Sequence, residues 1–240
     1  GIVGGGAYAE QIVVPARSLA PIPDVLDFTQ AAAMPEAFLT AYDAMVTQGG
    51  LAAGDTVLIN AVGSGVGTAA VQISKAIGAT SIGTARSADK LEKARALGLD
   101  HGVVAADGKF ADAVNAIRQP NVVLELVGGG YVVESLQCLS EGGRLILVGL
   151  MGGRDAAIPL GLVLMKRLRI FGTVMRARRS VGTADNEIGW ACHQVPADQK
   201  RQITNSPPAA PSARRSLPVR WIDATSGEIH SVCCTRMSCA

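Results

Sequence analysis

The 240-residue chain has little of what marks several common functions. Its three histidines, His101, His193 and His230, lie far apart and lack the spacing of a metal-ligand set. Its five cysteines include no C-x-x-C, which argues against a zinc ribbon or a redox pair. Cys192, Cys233, Cys234 and Cys239 fall in the last quarter. Cys138 stands alone in the main body, on a helical pattern that marks it as core rather than reactive. That placement reads as a cytosolic body. The formal net charge of +2 is too small to point to nucleic acid or a membrane surface as partner. No apolar run reaches the roughly 18 residues of a membrane span, and the apolar stretch Leu160 to Met165 is too short. No Ser/His/Asp set is visible. No secretory leader opens the chain, which begins with glycine rather than methionine, so the expectation is a missing or processed N-terminus.

What is present is a hydrophobic content of 48% with 18% charged residues, as expected of a soluble, well-packed protein of one or two domains. The most informative stretch runs from Val57 to Ile77. A short apolar run, Val57 to Ile59, enters a loop with glycines at 63, 65 and 67 and Ser64 between the first two. The loop opens directly into a pattern in which Val66, Ala69, Ala70, Ile73 and Ile77 share one helix face, and Gly78 stops it. The glycines do not spell a clean G-x-G-x-x-G, and by themselves they could be only a tight turn. Strand, glycine turn and helix in this order make a dinucleotide-binding unit. Glycine lets the backbone approach a pyrophosphate, and the helix N-terminus offers free N–H groups and a positive dipole end.

The other elements repeat that alternation. Ala7 to Val14 alternates after a glycine cluster and predicts a strand, followed by a stretch punctuated by Pro21, Pro23 and Pro35. Asp27 or Thr29 caps a short alanine-rich helix, and a second helix spans Phe38 to Thr47. Strands are expected at Thr56 to Asn60, Thr80 to Ala85, Gly102 to Ala105, Val122 to Val127, Arg144 to Val148 and Arg169 to Val174. Ser87 caps the helix after the second of these, where Asp89 and Lys93 are spaced for an ion pair. Helices also follow at Phe110 to Ile117 and from the Gly128-Gly129-Gly130 turn to Leu139, and a linker carrying Pro159 precedes the last strand. Val122 to Val127 is apolar throughout, as befits a parallel strand covered on both faces; its one acid, Glu125, is either a strand end bonded to a neighbouring loop or a ligand contact. The whole predicts an α/β protein with a doubly wound parallel sheet of right-handed crossovers.

After Arg179 the periodicity ends. Two tryptophans, Pro207-Pro208, Arg214-Arg215 and most of the cysteines arrive without pattern. This segment, 180–240, is expected to be either a disordered tail or foreign to the fold, such as the product of a reading-frame shift.

The end of the second predicted strand bears on cofactor choice. An NAD enzyme places Asp or Glu there to bond the ribose hydroxyls, whereas this chain has Ala85. Arg86, Ser87 and Lys90 follow and supply a guanidinium, a hydroxyl and an ammonium, which are ligands for the extra 2′-phosphate of NADPH. The same residues could be only a solvated helix start.

The segments Asn60 to Ala70, Arg86-Ser87 with Lys90, Val127-Gly128-Gly129 and Val148 to Gly153 resemble the zeta-crystallin-like quinone oxidoreductases of the medium-chain dehydrogenase/reductase superfamily. The Leu150-Met151-Gly152-Gly153 variant, Ser64 in the glycine loop, and Ala31 to Ala41 are most similar to the tumour-suppressor-inducible branch. The likeness covers residues 1 to about 179. It implies a Rossmann-type domain over 36–179, preceded at 1–35 by the remnant of a GroES-like β catalytic domain of which roughly eighty or more residues would be missing. By the same resemblance, Thr40, Ser64, Gly65 and Val66 would face the pyrophosphate and nicotinamide, and Arg86, Ser87 and Lys90 the 2′-phosphate. Gly149, Leu150 and Met151 would line the nicotinamide side, and Thr173 to Met175 would close the site. A tyrosine that relatives often place after the third strand is Ala105 here, and a zinc-ligating cysteine of the superfamily's zinc enzymes falls near Glu36. The implied activity is zinc-independent hydride transfer from NADPH to a quinone or other conjugated carbonyl, with Ser64 as one residue that could position nicotinamide or substrate, in a protein that could form homodimers. Alternatives are an enoyl reductase acting on activated alkenes and a nucleotide-binding remnant without turnover.

Overall fold

The computed structural model describes residues 5–9, 11–14 and 19–175, together with the backbone of two further strands, Leu217–Ile222 and Ile229–Cys234. The chain divides into two compact units, one of Ala37–Ala177 and one of Gly1–Glu36 with Arg178–Ala240.

The larger unit is a six-stranded sheet. Its strands are β1 (Thr56–Ile59), β2 (Thr80–Ala85), β3 (His101–Val104), β4 (Val122–Glu125), β5 (Arg144–Leu147) and β6 (Arg169–Gly172). All pairings are parallel, in the order β3-β2-β1-β4-β5-β6. This is the Rossmann-type order, and its direction reverses between β1 and β4. Every residue of β1 and β4 is buried, which explains why the two read as unbroken apolar runs. One core lies between the sheet and α2 (Gly65–Ile77) and α3 (Ala88–Ala96), and includes Val57, Ile59, Ala70, Ile73, Leu91, Leu124 and Ile146. A second core lies on the opposite face beneath α4 (Ala111–Ile117) and α5 (Gly130–Cys138), with Leu58, Ile82, Val114, Val123, Leu136 and Leu145. Cys138 is fully buried there, and burial pushes its thiol up to about 12.

Several local expectations are corrected. No strand forms among the described residues between Ala7 and Val14. The two helices expected on either side of Pro35 are one, α1 (Phe28–Tyr42), with Pro35 inside it. α1 continues into a π-helical turn, Asp43–Gln48. Asp27 caps α1 in a reciprocal box: its Oδ1 accepts from Gln30 N at 2.7 Å, and Gln30 Oε1 accepts from Asp27 N at 3.1 Å. The linker before β6 contains a short helix, α6 (Leu160–Met165), which the sequence showed only as an apolar run. On α3 the close ion pair joins Glu92 and Arg95, while Asp89 and Lys93 interact electrostatically without one.

Within the segment after Arg179, Leu217–Ile222 (β7) and Ile229–Cys234 (β8) pair antiparallel. The rest of the expectation for 180–240 falls outside the described residues. No described helix is long and apolar enough to cross a membrane.

Candidate cofactor site at the carboxyl edge of the sheet

The glycine turn is built by three features of its own sequence. Ala61 takes a left-handed conformation, φ 51°, and turns the chain off β1. Ser64 sits extended at the N-cap of α2, where its Oγ accepts from Gly67 N at 3.0 Å. Gly67 passes beneath the turn: a β-carbon there would lie 2.6 Å from Ala61 O, so no side chain fits. The serine serves the third amide of the helix, which leaves the N–H groups of Gly65 and Val66 without an acceptor among the described residues. Gly65 faces open space, with nothing within 4 Å of a β-carbon built on it. Free amides, open space and the positive end of a 13-residue helix coincide, and that combination fits a pyrophosphate.

Two cations border this turn. Lys90, on α3, lays its stem against Gly63; a β-carbon there would stand 3.2 Å from Lys90 Cβ and 3.3 Å from its Cδ. The Ser64 turn and the Lys90 stem therefore share one side of the molecule. Arg86, immediately after β2, is exposed and acts electrostatically on Tyr131 of α5. Neither Arg86 nor Lys90 makes an ion pair among the described residues. Ser87 holds the N-cap position of α3 but makes no side-chain cap bond; its hydroxyl is the chief cause holding the Asp89 carboxyl below the usual carboxylate range.

Beneath the turn lies a buried polar row. The register sets Ile59 beside Gly83 and Leu124, so the next residues, Thr84, Asn60 and Glu125, meet at the strand ends. Asn60 Oδ1 accepts from Thr84 Oγ1 at 2.8 Å. Asn60 Nδ2 donates to Glu125 Oε2 at 2.7 Å and to Ser135 Oγ at 2.9 Å, and Ser135 Oγ donates to Glu125 Oε2 at 3.0 Å. Glu125 Oε1 accepts the amides of Val127 at 2.8 Å and Gly128 at 3.0 Å. Burial pushes this carboxyl up and the donors pull it partly back. Glu125 is thus the strand end that holds a neighbouring loop, the first of its two sequence readings.

The loop it holds supports a second one. Gly149, Gly152 and Gly153 lie against residues 126–129 backbone to backbone: a β-carbon on Gly149 would be 2.4 Å from Leu126 O, and one on Gly128 2.6 Å from Gly153 O. A parallel bridge joins Gly128 and Gly153. The packing leaves Leu150 at 48% and Met151 at 86% exposure. Thr40 and Thr173 are buried. Thr173 Oγ1 donates to Asp43 Oδ2 at 3.1 Å and accepts from Gln48 Nε2 at 2.6 Å, so its hydroxyl is engaged with the π-helical turn. Met175 stands half-buried just beyond it.

The turn, the two cations and both loops named from the sequence lie at the carboxyl ends of the strands. The sequence reading missed the polar row: Asn60 and Glu125 each close an apolar run, but Thr84 lies within a strand that also carries Thr80 and Ser81, so no local pattern marks it. It also missed Tyr131, whose hydroxyl donates to Ala105 O at 3.2 Å and whose ring lies 5.0 Å from that of Phe110. Tyr131 thereby reaches the loop where the sequence lacks a tyrosine. No group of three His, Cys, Asp or Glu side chains suited to a metal ion occurs among the described residues.

Residues 65–188 match the family model of the zinc-binding dehydrogenases. The chain is 41% identical over 157 residues to the polyketide synthase GfsB of Streptomyces halstedii, covering 65% of this chain and 3% of that protein. It is 31% identical over 176 residues to the quinone oxidoreductase-like protein 2 of Bos taurus, covering 72% of this chain and 50% of that one. The chain therefore spans half the length of that curated relative. Among solved structures it is similar to the quinone oxidoreductase of Thermus thermophilus, determined also as its complex with NADPH, with 34% identity, a TM-score of 0.66 and coverage of 72% of this chain and 56% of that one. With the Rossmann-type sheet and its glycine turn, these likenesses establish that the chain belongs to the zinc-binding dehydrogenase family, in the quinone oxidoreductase branch of the medium-chain dehydrogenase/reductase superfamily.

Proposed function

We propose that this chain is the NADPH-binding part of an oxidoreductase that transfers hydride to a quinone or another conjugated carbonyl. The observation that carries the reading is the contact between Gly63 and the Lys90 stem, which brings the diphosphate-binding turn and a phosphate-binding cation to the same rim. Gly65 and Val66 would donate to the diphosphate. Arg86 and Lys90 would neutralise a 2′-phosphate, and Ser87 would join them by turning from Asp89. Thr40, Gly149, Leu150, Met151, Thr173 and Met175 would enclose the nicotinamide. When bound, the cofactor supplies the hydride; the chain supplies orientation and charge. Asn60 and Glu125 contribute by fixing the loops around it. The proposed chemistry is zinc-independent. β6 is an edge strand of its sheet, and α6, which precedes it in the chain, exposes Leu160, Leu164 and Met165, which supports a homodimer through this region.

The test is a pair of titrations by cofactor fluorescence, with NADPH and with NADH, followed by turnover with a benzoquinone and with an enoyl thioester. Tighter binding of NADPH and oxidation by the quinone support the proposal. Preference for the thioester moves the chain to the enoyl reductases. Binding without turnover makes it a nucleotide-binding remnant, and no saturable binding of either nucleotide overturns the reading.

A further inference from the structure

Glu125 is a fully buried acid, and no ion pair among the described residues includes it. Hydrogen bonds alone satisfy its charged form. Oε1 takes two main-chain amides, and Oε2 takes Asn60 Nδ2 and Ser135 Oγ. The elements packed around it bring no bonded cation. α5 contributes Tyr131 and Cys138, whose hydroxyl and thiol both feel the charge of the acid. Arg86 and Lys166 act on those two residues, but neither bonds to Glu125. Glu134, also on α5, is bonded to Lys109 and to two amides. β5 sets Leu147 beside the acid, and the π-helical turn packed on β4 brings Asp43, bonded to Gln48 and Thr173.

A proton added to this carboxyl finds every approach held by a donor. On Oε1 it would face the N–H groups of Val127 and Gly128, which cannot turn without moving the loop. On Oε2 it would face Asn60 Nδ2–H and Ser135 Oγ–H, and only the serine hydroxyl is free to rotate and receive it. Either way the donors lose a charged acceptor, and hydrogen bonds to a charged acceptor are about twice as strong as neutral ones. Burial without a cation works against the charge and pushes the carboxyl above its usual range. What the charge holds in place is the rim of the groove. Val127 O accepts from Gly152 N at 2.7 Å, which joins the second loop to the first. Asn60 bonds Thr84, whose carbonyl accepts from Val62 N of the glycine turn at 2.9 Å.

We infer that Glu125 is a positioning residue whose ionisation sets the affinity of the groove, so that nucleotide binding is coupled to loss of a proton from the polar row. This rests on the cofactor reading above. A nucleotide that needs the ordered loops favours the charged acid, and by reciprocity protonation of the acid weakens the nucleotide.

The experiment measures NADP+ affinity of the full chain by titration calorimetry from about pH 5 to pH 8, beside Glu125→Gln. The oxidised nucleotide is the probe because it survives acid. Its 2′-phosphate titrates in the same range, but equally for both proteins, so the ratio of their dissociation constants isolates Glu125. The wild-type constant should rise by up to about tenfold per pH unit as the acid protonates, and Glu125→Gln should lack that added slope. Ser135→Ala removes one donor to the charged form and should move the midpoint about one pH unit higher, a displacement that lost packing alone does not produce. Where Glu125→Gln fails to fold, Ser135→Ala carries the test. Saturable binding with equal pH dependence in wild type and Glu125→Gln, or an unmoved midpoint in Ser135→Ala, overturns the assignment and leaves the cofactor reading standing. No saturable binding at pH 8 overturns the cofactor reading and this assignment with it.

Discussion

The most direct perturbation of the proposed cofactor rim is Arg86→Gln combined with Lys90→Gln. Both side chains are exposed, so their attraction for a phosphate is screened by water. Unit charges about 4 Å apart in water gain about 1 kcal/mol, and a charged hydrogen bond contributes about 1.5 kcal/mol at the low end of its range. Lys90 has an advantage over an ordinary surface lysine, because its stem already rests on Gly63 and loses less freedom on binding. Each cation is therefore worth about tenfold in affinity, and the pair about a hundredfold if the two act independently. The difference appears only where the 2′-phosphate exists. Fluorescence titration of the double variant should show NADPH weakened by that factor and NADH by less than about threefold. The ratio should also shrink with salt, as expected of exposed charges. Equal weakening of both nucleotides would mean that the variant damaged the turn itself. No weakening of NADPH would remove Arg86 and Lys90 from the site.

Three further outcomes follow from particular contacts. Gly67→Ala drives a methyl group into the carbonyls of Ala61 and Val62 at 2.6 and 2.7 Å, and should cost about 1–3 kcal/mol in urea unfolding and abolish nucleotide binding. Glu134 Oε2 accepts the amides of Phe110 at 2.9 Å and Ala111 at 3.0 Å; although burial opposes it, these amides and Lys109 hold its carboxyl below the usual range. A lowered folded value means stability that is present above about pH 4.5 and lost as the pH falls through that lowered value, so Glu134→Ala should cost about 2–3 kcal/mol at neutral pH and progressively less in acid. A loss independent of pH would contradict this origin. Cys138, with its thiol pushed up to about 12, should stay unmodified by iodoacetamide at pH 8 in the native chain and react once unfolded, as read by peptide mass mapping.

The sheet was legible because its signals are local. A fully buried parallel strand must be apolar, as Val122 to Leu124 is, and a helix that follows a glycine turn must show its face within one period, as Val66 to Ile77 does. The misreadings have separate causes. Pro35 favours a break, since an interior proline removes one helical hydrogen bond, yet α1 runs through it. Ser87 holds the cap position it was expected to hold, but its hydroxyl makes no cap bond. α6 has no buried residue, so it has no amphipathic stripe to read. Of the candidate site, the glycine turn and the Arg86 and Lys90 cations were legible from chain-local patterns. The row of Thr84, Asn60 and Glu125 was not, because it exists only once the register has aligned three strand ends.

The glycine-on-glycine seam between residues 126–129 and 149–153 has a mechanical consequence. Two peptide planes in direct contact leave no compressible layer between them, so neither loop can yield by itself. A ligand that pushes on Leu150 thereby tugs on amides suspended from Glu125, and through Asn60 the load reaches Thr84 on the far side of the central strand. Both halves of the proposed cofactor groove are yoked to a single carboxylate.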